Sequence, residues 1–366
     1  MGRVHANHEN ARTLRRRRRT FTSRTGEVNT EYAPLLRRLL AGARLSQAES
    51  AEMIGAIMDG ELTPAQSGGL LVALASRGET VDEIAGAARA MRERSLHVEH
   101  GLPEVVDVVG TGGDGANTIN VSTMAALVAA AAGVPVAKHG NRAASSACGS
   151  ADVLEATGMA IDLAPDRAAH MLRETNFTFM YAPRYHPAMK NVGLVRRELG
   201  VKTIFNVLGP LTNPAAAGVQ IVGVAHAELV EPLAKVLQDL GVRRGAVVHG
   251  ENGIDEVAGD VPTMVYSFDP AGGRQWALDP AAYGIATPLS AIVAPSIDAA
   301  REAFLSILGG EVSPRADVVA LNAALVLHTV GTAPTMKAAL EHARSILRAG
   351  AALRTYERAK ELAAHG

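Results

Sequence analysis

The chain has 366 residues, enough for about two domains at roughly 150 residues each. Hydrophobic residues make up 48% and charged residues 20%, a globular composition that excludes disorder over most of the length. A net charge of −1 excludes a molecule that is as a whole an electrostatic trap for nucleic acid or anionic membrane, and the one cysteine, Cys148, excludes an intramolecular disulfide and a Cys-ligated zinc site.

The charge is unevenly placed. Residues 1–30 hold eight arginines against Glu9 and Glu27, a local +6 that leaves −7 for the remainder. They are polar, lack a period that could bury a face, and lack the apolar core of a secretory signal, so a basic, disordered extension is expected. The five consecutive arginines at 15–19 also suit a nucleic-acid contact. The longest apolar run, residues 124–137, contains Gly133 and Pro135 and falls short of the about 20 residues that span a bilayer. A cytoplasmic protein with no membrane contact is expected.

Residues 31–100 carry helical patterns and no strand-like run. Leu35, Leu36, Leu39 and Leu40 recur at helical spacing. Ser46 and Glu49 form a capping box, Thr63-Pro64 starts another helix, and Thr80 opens a fourth ahead of Ile84, Ala88 and Met91. This predicts a small all-helical domain, to which a helical segment near 187–200 returns. From residue 101 to 366 the grammar is strand, loop, helix. Short apolar runs at 105–109, 134–137, 177–181, 219–224 and 246–248 alternate with helices at 122–132, 151–156, 166–175 and 228–240, and Gly133, Gly158 and Gly241 sit where helix C-caps belong. Beyond Ser296 the chain returns to helices, the last over 337–364. The fold class is therefore α/β, with a mostly parallel central sheet in the large domain.

Four clusters carry chemistry. Gly110-Thr-Gly-Gly-Asp114-Gly-Ala-Asn117-Thr118-Ile-Asn120-Val-Ser122-Thr123 follows a strand and opens a helix, where glycine N–H groups and the helix terminus can hold a phosphate. Its glycine spacing is neither that of a Walker A loop nor that of a Rossmann fingerprint. The second, Lys138-His-Gly-Asn141-Arg142-Ala-Ala-Ser145-Ser146-Ala-Cys-Gly-Ser150, follows the second strand and so emerges at the same carboxyl edge, where ligands of open α/β sheets bind. The third ends in Asp255-Glu256, adjacent carboxylates that suit Mg²⁺. The fourth runs from His186-Pro187 to Arg196-Arg197; successive helical arginines diverge, and only one can face a given site. A Mg²⁺-chelated polyphosphate, a second ligand and no covalent nucleophile point to a transferase acting on a phosphorylated sugar or nucleotide.

Together with Thr203-Ile-Phe-Asn-Val-Leu-Gly-Pro-Leu-Thr-Asn-Pro214, His186-Pro-Ala-Met189 and the helical segment Asp59-Gly-Glu-Leu-Thr-Pro-Ala-Gln66, these motifs resemble the anthranilate phosphoribosyltransferases, in order, from about Leu35 to the C-terminus. The resemblance implies a nucleoside phosphorylase/phosphoribosyltransferase-like homodimer whose helical domain is hinged to the α/β domain. It implies transfer of the 5-phosphoribosyl group from phosphoribosyl pyrophosphate to the amine of anthranilate, with release of pyrophosphate, a step of tryptophan biosynthesis. By the same resemblance Gly110, Gly113, Asp114, Thr118, Asn120, Val121, Ser122 and Thr123 would hold phosphoribosyl pyrophosphate. Lys138, His139, Gly140, Asn141, Arg142, Ala143, Ala144, Ser145, Ser146 and Ser150 would do so too. Ser122 with Glu256, and Asp255 with Glu256, would serve two Mg²⁺ ions, while Gly110, Asn141 and Arg196 would contact anthranilate. Lys138 would stabilise the leaving pyrophosphate, and His139 is either a proton acceptor or a structural histidine. The alternatives are transfer to another aromatic amine, a pyrimidine nucleoside phosphorylase, or a nucleic-acid-binding paralogue without activity.

Overall fold

A computed structural model describes residues 32–143 and 146–364, so the expected basic extension, Ala144 and Ser145 lie outside the described residues. Four helices come first: α1 (Ala33–Leu40), α2 (Gln47–Asp59), α3 (Pro64–Ala75) and α4 (Val81–Glu93). Ser46, Thr63 and Thr80 each accept from the backbone N–H three residues on, and each start is a reciprocal capping box. The α/β part contains β1 (Val106–Gly110), α5 (Val121–Ala131), β2 (Val136–Gly140), α6 (Ser150–Ala156), α7 (Pro165–Thr175), β3 (Phe177–Tyr181), α8 (Lys190–Leu199), β4 (Val219–Gly223), α9 (Val230–Asp239) and β5 (Arg244–Gly250). It continues with β6 (Thr263–Asp269), β7 (Gly272–Leu278), α10 (Ile297–Leu308), α11 (Pro314–Val330), α12 (Met336–Arg348) and α13 (Ala351–Ala364). No helix among the described residues is long and apolar enough to cross a membrane.

The seven strands lie in the order β3-β2-β1-β4-β5-β6-β7. The first five pair in parallel, as the alternation of strand and helix predicts. β6 and β7 add an antiparallel hairpin that the sequence reading lacks. Its turn is built by Asp269, whose carboxylate accepts from Ala271 N–H, and by Gly272 at φ 141°. β7 is mostly exposed, so its apolar pattern is too thin to stand out. The final helix expected over 337–364 is two helices, broken at Gly350 with φ 62°. Gly133, Gly158 and Gly241 do follow helix ends at φ 86°, 89° and 87°, where a side chain is disfavoured.

Each sheet face covers its own core. Val106, Val108, Val136, Phe177, Phe179, Val219 and Ile221 pack with α5, α7, α11 and α13. Val222, Val224 and Val247 face the other way, against α9, and this second core runs on without a break into α2, α3 and α4. Val192 and Val195 of α8 belong to it as well. Arg92 of α4 ties the two layers: it donates to Leu211 O at 2.6 Å and Leu240 O at 3.0 Å, and burial, with Arg89 nearby, pushes its guanidinium down to about 10.

Glu83 anchors the helical layer. Its side chain is fully buried and accepts from Arg77, Leu45 N–H and Thr80 N–H. Burial alone would raise its carboxyl; these donors, Arg77 first, outweigh it and hold the group below the usual carboxylate range. Glu83→Ala leaves the half-buried Arg77 without its counter-ion and the Leu45 and Thr80 N–H groups without their acceptor, and is expected to cost about 3–5 kcal/mol in urea unfolding at neutral pH. Because the folded-state value is lowered, this stabilisation is present at neutral pH and lost as pH falls through that value. The gap between parent and variant should narrow on acidification; a gap constant through the acid range would show that the carboxylate charge is not its source.

Candidate active site

The carboxyl ends of β1, β2 and β4 bring the predicted clusters together. After β1, Gly112, Gly113 and Gly115 take φ values of 67°, 81° and 71°, and Asn117 takes 51°, so the loop coils back on itself before α5. Its Gly112 N–H donates to Asp255 Oδ2 at 2.7 Å. At the start of α5, Ser122 N–H donates to Glu256 Oε1 at 3.0 Å. Glycine is required where these segments cross: a Cβ on Gly110 would overlap the Asp255 carboxylate, and one on Gly223 of β4 would overlap the Asp255 carbonyl oxygen. The glycine loop and the acidic pair thus hold each other in place.

Lys138, 2% exposed on β2, donates to Val108 O and, at 3.3 Å, to Ser122 Oγ. Burial lowers its ammonium, opposed by the charges of Asp107, Glu256 and Asp255. Asp107 is the residue that the sequence reading passes over. It is a fully buried acid in an otherwise apolar strand, accepting from His139 N–H at 3.2 Å and pushed by burial up to about 6. A charged residue inside such a run was the available signal. His139 is 3% exposed, with Nδ1 3.2 Å from Gly209 O and its ring centroid 5.0 Å from that of His186. Burial, then His186, pushes it down to about 3, so the ring is neutral, Nδ1 donates to Gly209 O, and Nε2 faces no partner among the described residues.

The remaining predicted residues divide. Asn120 Nδ2 donates to Cys148 O at 3.1 Å, Val121 and Thr123 are buried in the first turn of α5, and Thr118 bridges to Val293. Asp114 Oδ1 accepts from Ala116 N–H at 3.1 Å and closes the loop's own turn. A Cβ on Gly140 would overlap Ser150 Oγ, which donates to Asn141 O at 3.3 Å. Ala143 N–H donates to Asp152 at 2.8 Å, and Ser146 is half-buried. Arg142 turns outward to Asp152, Glu155 and Tyr181, and is engaged there rather than at Lys138. The two arginines differ in placement. Arg197 is exposed, whereas Arg196 is half-buried, lies 5.8 Å over the Phe205 ring and donates to Asn206 Oδ1 at 3.4 Å.

Burial raises Asp255 and Glu256 above the usual carboxylate range; Asp114 adds to it for Asp255, and Asp255 for Glu256. No group of three or more His, Cys, Asp or Glu side chains among the described residues is arranged to hold a metal ion. A hard divalent ion that takes one or two carboxylates and completes its sphere with water and phosphate oxygens still fits this pair. A raised acid favours the folded state below its ordinary pKa, and that advantage is lost as pH rises through the raised value. Mg²⁺ is therefore expected to lift Tm more at about pH 8 than at about pH 5, and Glu256→Gln to remove most of the increment. An increment independent of pH would place the ion elsewhere.

Residues 33–95 match the helical bundle domain of a glycosyl transferase family, and residues 102–353 match that family's α/β domain. The chain is 46% identical to the anthranilate phosphoribosyltransferase of Symbiobacterium thermophilum over 89% of its own length and 96% of that protein. It superposes on the crystal structure of anthranilate phosphoribosyltransferase from Thermus thermophilus with a TM-score of 0.84 at 43% identity, covering 90% of this chain and 99% of that one. The Saccharomyces cerevisiae enzyme in complex with phosphoribosyl pyrophosphate and Mg gives a TM-score of 0.86 at 26% identity, covering 92% and 99%.

Proposed function

The chain belongs to the anthranilate phosphoribosyltransferase family, and from that premise we propose which of its residues carry the reaction. The activity is Mg²⁺-dependent transfer of the 5-phosphoribosyl group from phosphoribosyl pyrophosphate to the amine of anthranilate, in tryptophan biosynthesis. One observation supports the residue assignment above the others: Gly112 and Ser122 bond to Asp255 and Glu256 while Lys138 reaches Ser122, so glycine loop, helix terminus, cation and acidic pair share one sheet edge.

Phosphoribosyl pyrophosphate would lie along Gly110, Gly113, Asp114, Thr118 and 120–123, and along residues 138–146 with Ser150. Ser122 with Glu256, and Asp255 with Glu256, would hold two Mg²⁺ ions, which when bound supply countercharge to the pyrophosphate. As the anomeric C–O bond breaks, negative charge gathers on the leaving group, and Lys138 and the loop N–H groups stabilise it. The arylamine is neutral at pH 7 and needs alignment rather than deprotonation. Arg196 would pair with its carboxylate, with Gly110 and Asn141 completing the contact. After attack the nitrogen carries a proton that a weak base can take; His139 Nε2, neutral and without a partner, suits that acceptor and no stronger demand.

The helical domain is residues 31–100 together with α8, since Val192 and Val195 share its core, and the α/β domain spans 101–366. A homodimer through the helical face is supported by Leu40, Leu194 and Val201, which are 71%, 52% and 56% exposed on α1, α8 and the residue pair after it. Leu194→Glu is expected to shift the species seen by sedimentation from dimer to monomer; an unchanged dimer would place the interface elsewhere.

The direct test follows the fluorescence of anthranilate with phosphoribosyl pyrophosphate and Mg²⁺. Arg196→Ala is expected to raise KM for anthranilate about tenfold or more, with KM for phosphoribosyl pyrophosphate near the parent's and Arg197→Ala near the parent in both. Equal defects from the two arginines would sink the assignment.

A further inference from the structure

Lys202 stands in the short link between α8 and Thr203, exposed, and its Nζ lies 3.4 Å from Nε2 of His226, also exposed, just beyond β4. The same Nζ is 3.8 Å from where a Cβ would sit on Gly113, so Lys202 stands beside the glycine loop with His226 next to it. The position in the sheet is informative. From β1 the chain proceeds to β2 and β3 on one side, while β4 and β5 lie on the other, which makes the crevice between β1 and β4 the switch point where such sheets take their ligands.

The local charge balance is unusual. Lys138 faces Asp107, Glu256 and Asp255, and Arg142 is bonded to Asp152 and Glu155. Lys202 and His226 have no carboxylate partner among the described residues; instead the Lys202 ammonium donates to the His226 ring nitrogen when that is unprotonated and keeps its other N–H groups for an outside acceptor. Both can donate at once only to an acceptor placed between or above them, and a phosphoryl oxygen is the acceptor that matches their charge.

We propose that Lys202 and His226 form a cationic clamp for a phosphoryl group resting on the glycine loop at Gly113, contributed by a segment outside the motifs that mark the site. This rests on the reading that the loop holds phosphoribosyl pyrophosphate, which has a phosphoryl group at each end. Calorimetric titration of the full chain separates the two: inorganic pyrophosphate with Mg²⁺ reports the leaving-group end, ribose 5-phosphate the other. Lys202→Met is expected to weaken pyrophosphate about tenfold, with Lys202→Arg restoring most of it and His226→Ala giving a smaller loss. KM for anthranilate should stay at the parent value, which separates a phosphate contact from a general disturbance of the link. Weakening confined to ribose 5-phosphate supports the clamp and assigns it to the 5-phosphate. Unchanged affinity for both probes in Lys202→Met overturns it. Glu256→Gln in the same titration tests the underlying reading: parent-like pyrophosphate binding there would mean that the site itself, rather than the clamp, is misplaced.

Discussion

The site depends on a place with no room for a side chain. Where β1 and β4 end, the segment bearing Asp255 and Glu256 crosses over them, and a Cβ at either Gly110 or Gly223 would occupy space that Asp255 already fills. That close approach brings Asp255 onto Gly112 N–H and Glu256 onto Ser122 N–H. It also sets the curl of the glycine loop, because the Gly112 amide is committed to the acid at the point where the loop leaves the strand. A larger residue at Gly223 would separate the acidic pair from the loop without touching either motif.

The same crowding explains the electrostatics. Asp107 and Lys138 are buried and Asp255 and Glu256 half-buried within a few residues of the strand ends, where water screens them less than at the surface. The charges of Lys138 and its acidic neighbours favour one another but only partly offset the burial that pushes each toward its neutral form, and Asp107 accepts from the N–H of the following residue, His139. Such a cluster is costly in isolation, and in the assignment proposed above a polyanion with its metal ions would complete it.

Much of this is readable in the amino-acid sequence alone. Parallel strands announce themselves as unbroken apolar runs because both faces are buried, and Ser46, Thr63 and Thr80 mark helix starts because their hydroxyls have one local task. The glycine loop and the acidic pair are legible because each follows a strand and so must emerge at one edge, whereas Lys138, expected in the loop after residue 137, lies inside β2 and is buried there. What is not legible depends on contacts between segments far apart in sequence. The β6–β7 hairpin has one strand facing solvent and little apolar content. The difference in placement between Arg196 and Arg197 depends on Phe205 and Asn206, which the chain brings up only after α8 has ended. Lys202 is unremarkable in sequence, and its significance comes from His226 and Gly113, which lie on two other loops that the fold places beside it.

In the assignment proposed above the reaction's two demands fall on different layers. Charge stabilisation would come from the sheet edge, where Lys138, Asp255 and Glu256 are fixed by backbone contacts. In the same assignment alignment of the neutral amine would fall to α8, whose Val192 and Val195 are packed into the helical core while Arg196 leans on Phe205. The distance over which amine and anomeric carbon meet would then depend on how the helical layer sits on the sheet, where polar ties join the two. Arg92 is the most buried of them, reaching Leu211 O and Leu240 O from α4. Leu211 lies in the same stretch as Gly209, whose carbonyl oxygen accepts from His139, and Gln220 of β4 donates to Pro210 O between them. Residues 209–211 thus contact α4 through Arg92, β2 through His139 and β4 through Gln220, and their three carbonyl oxygens are the acceptors that join the helical layer to the two strands.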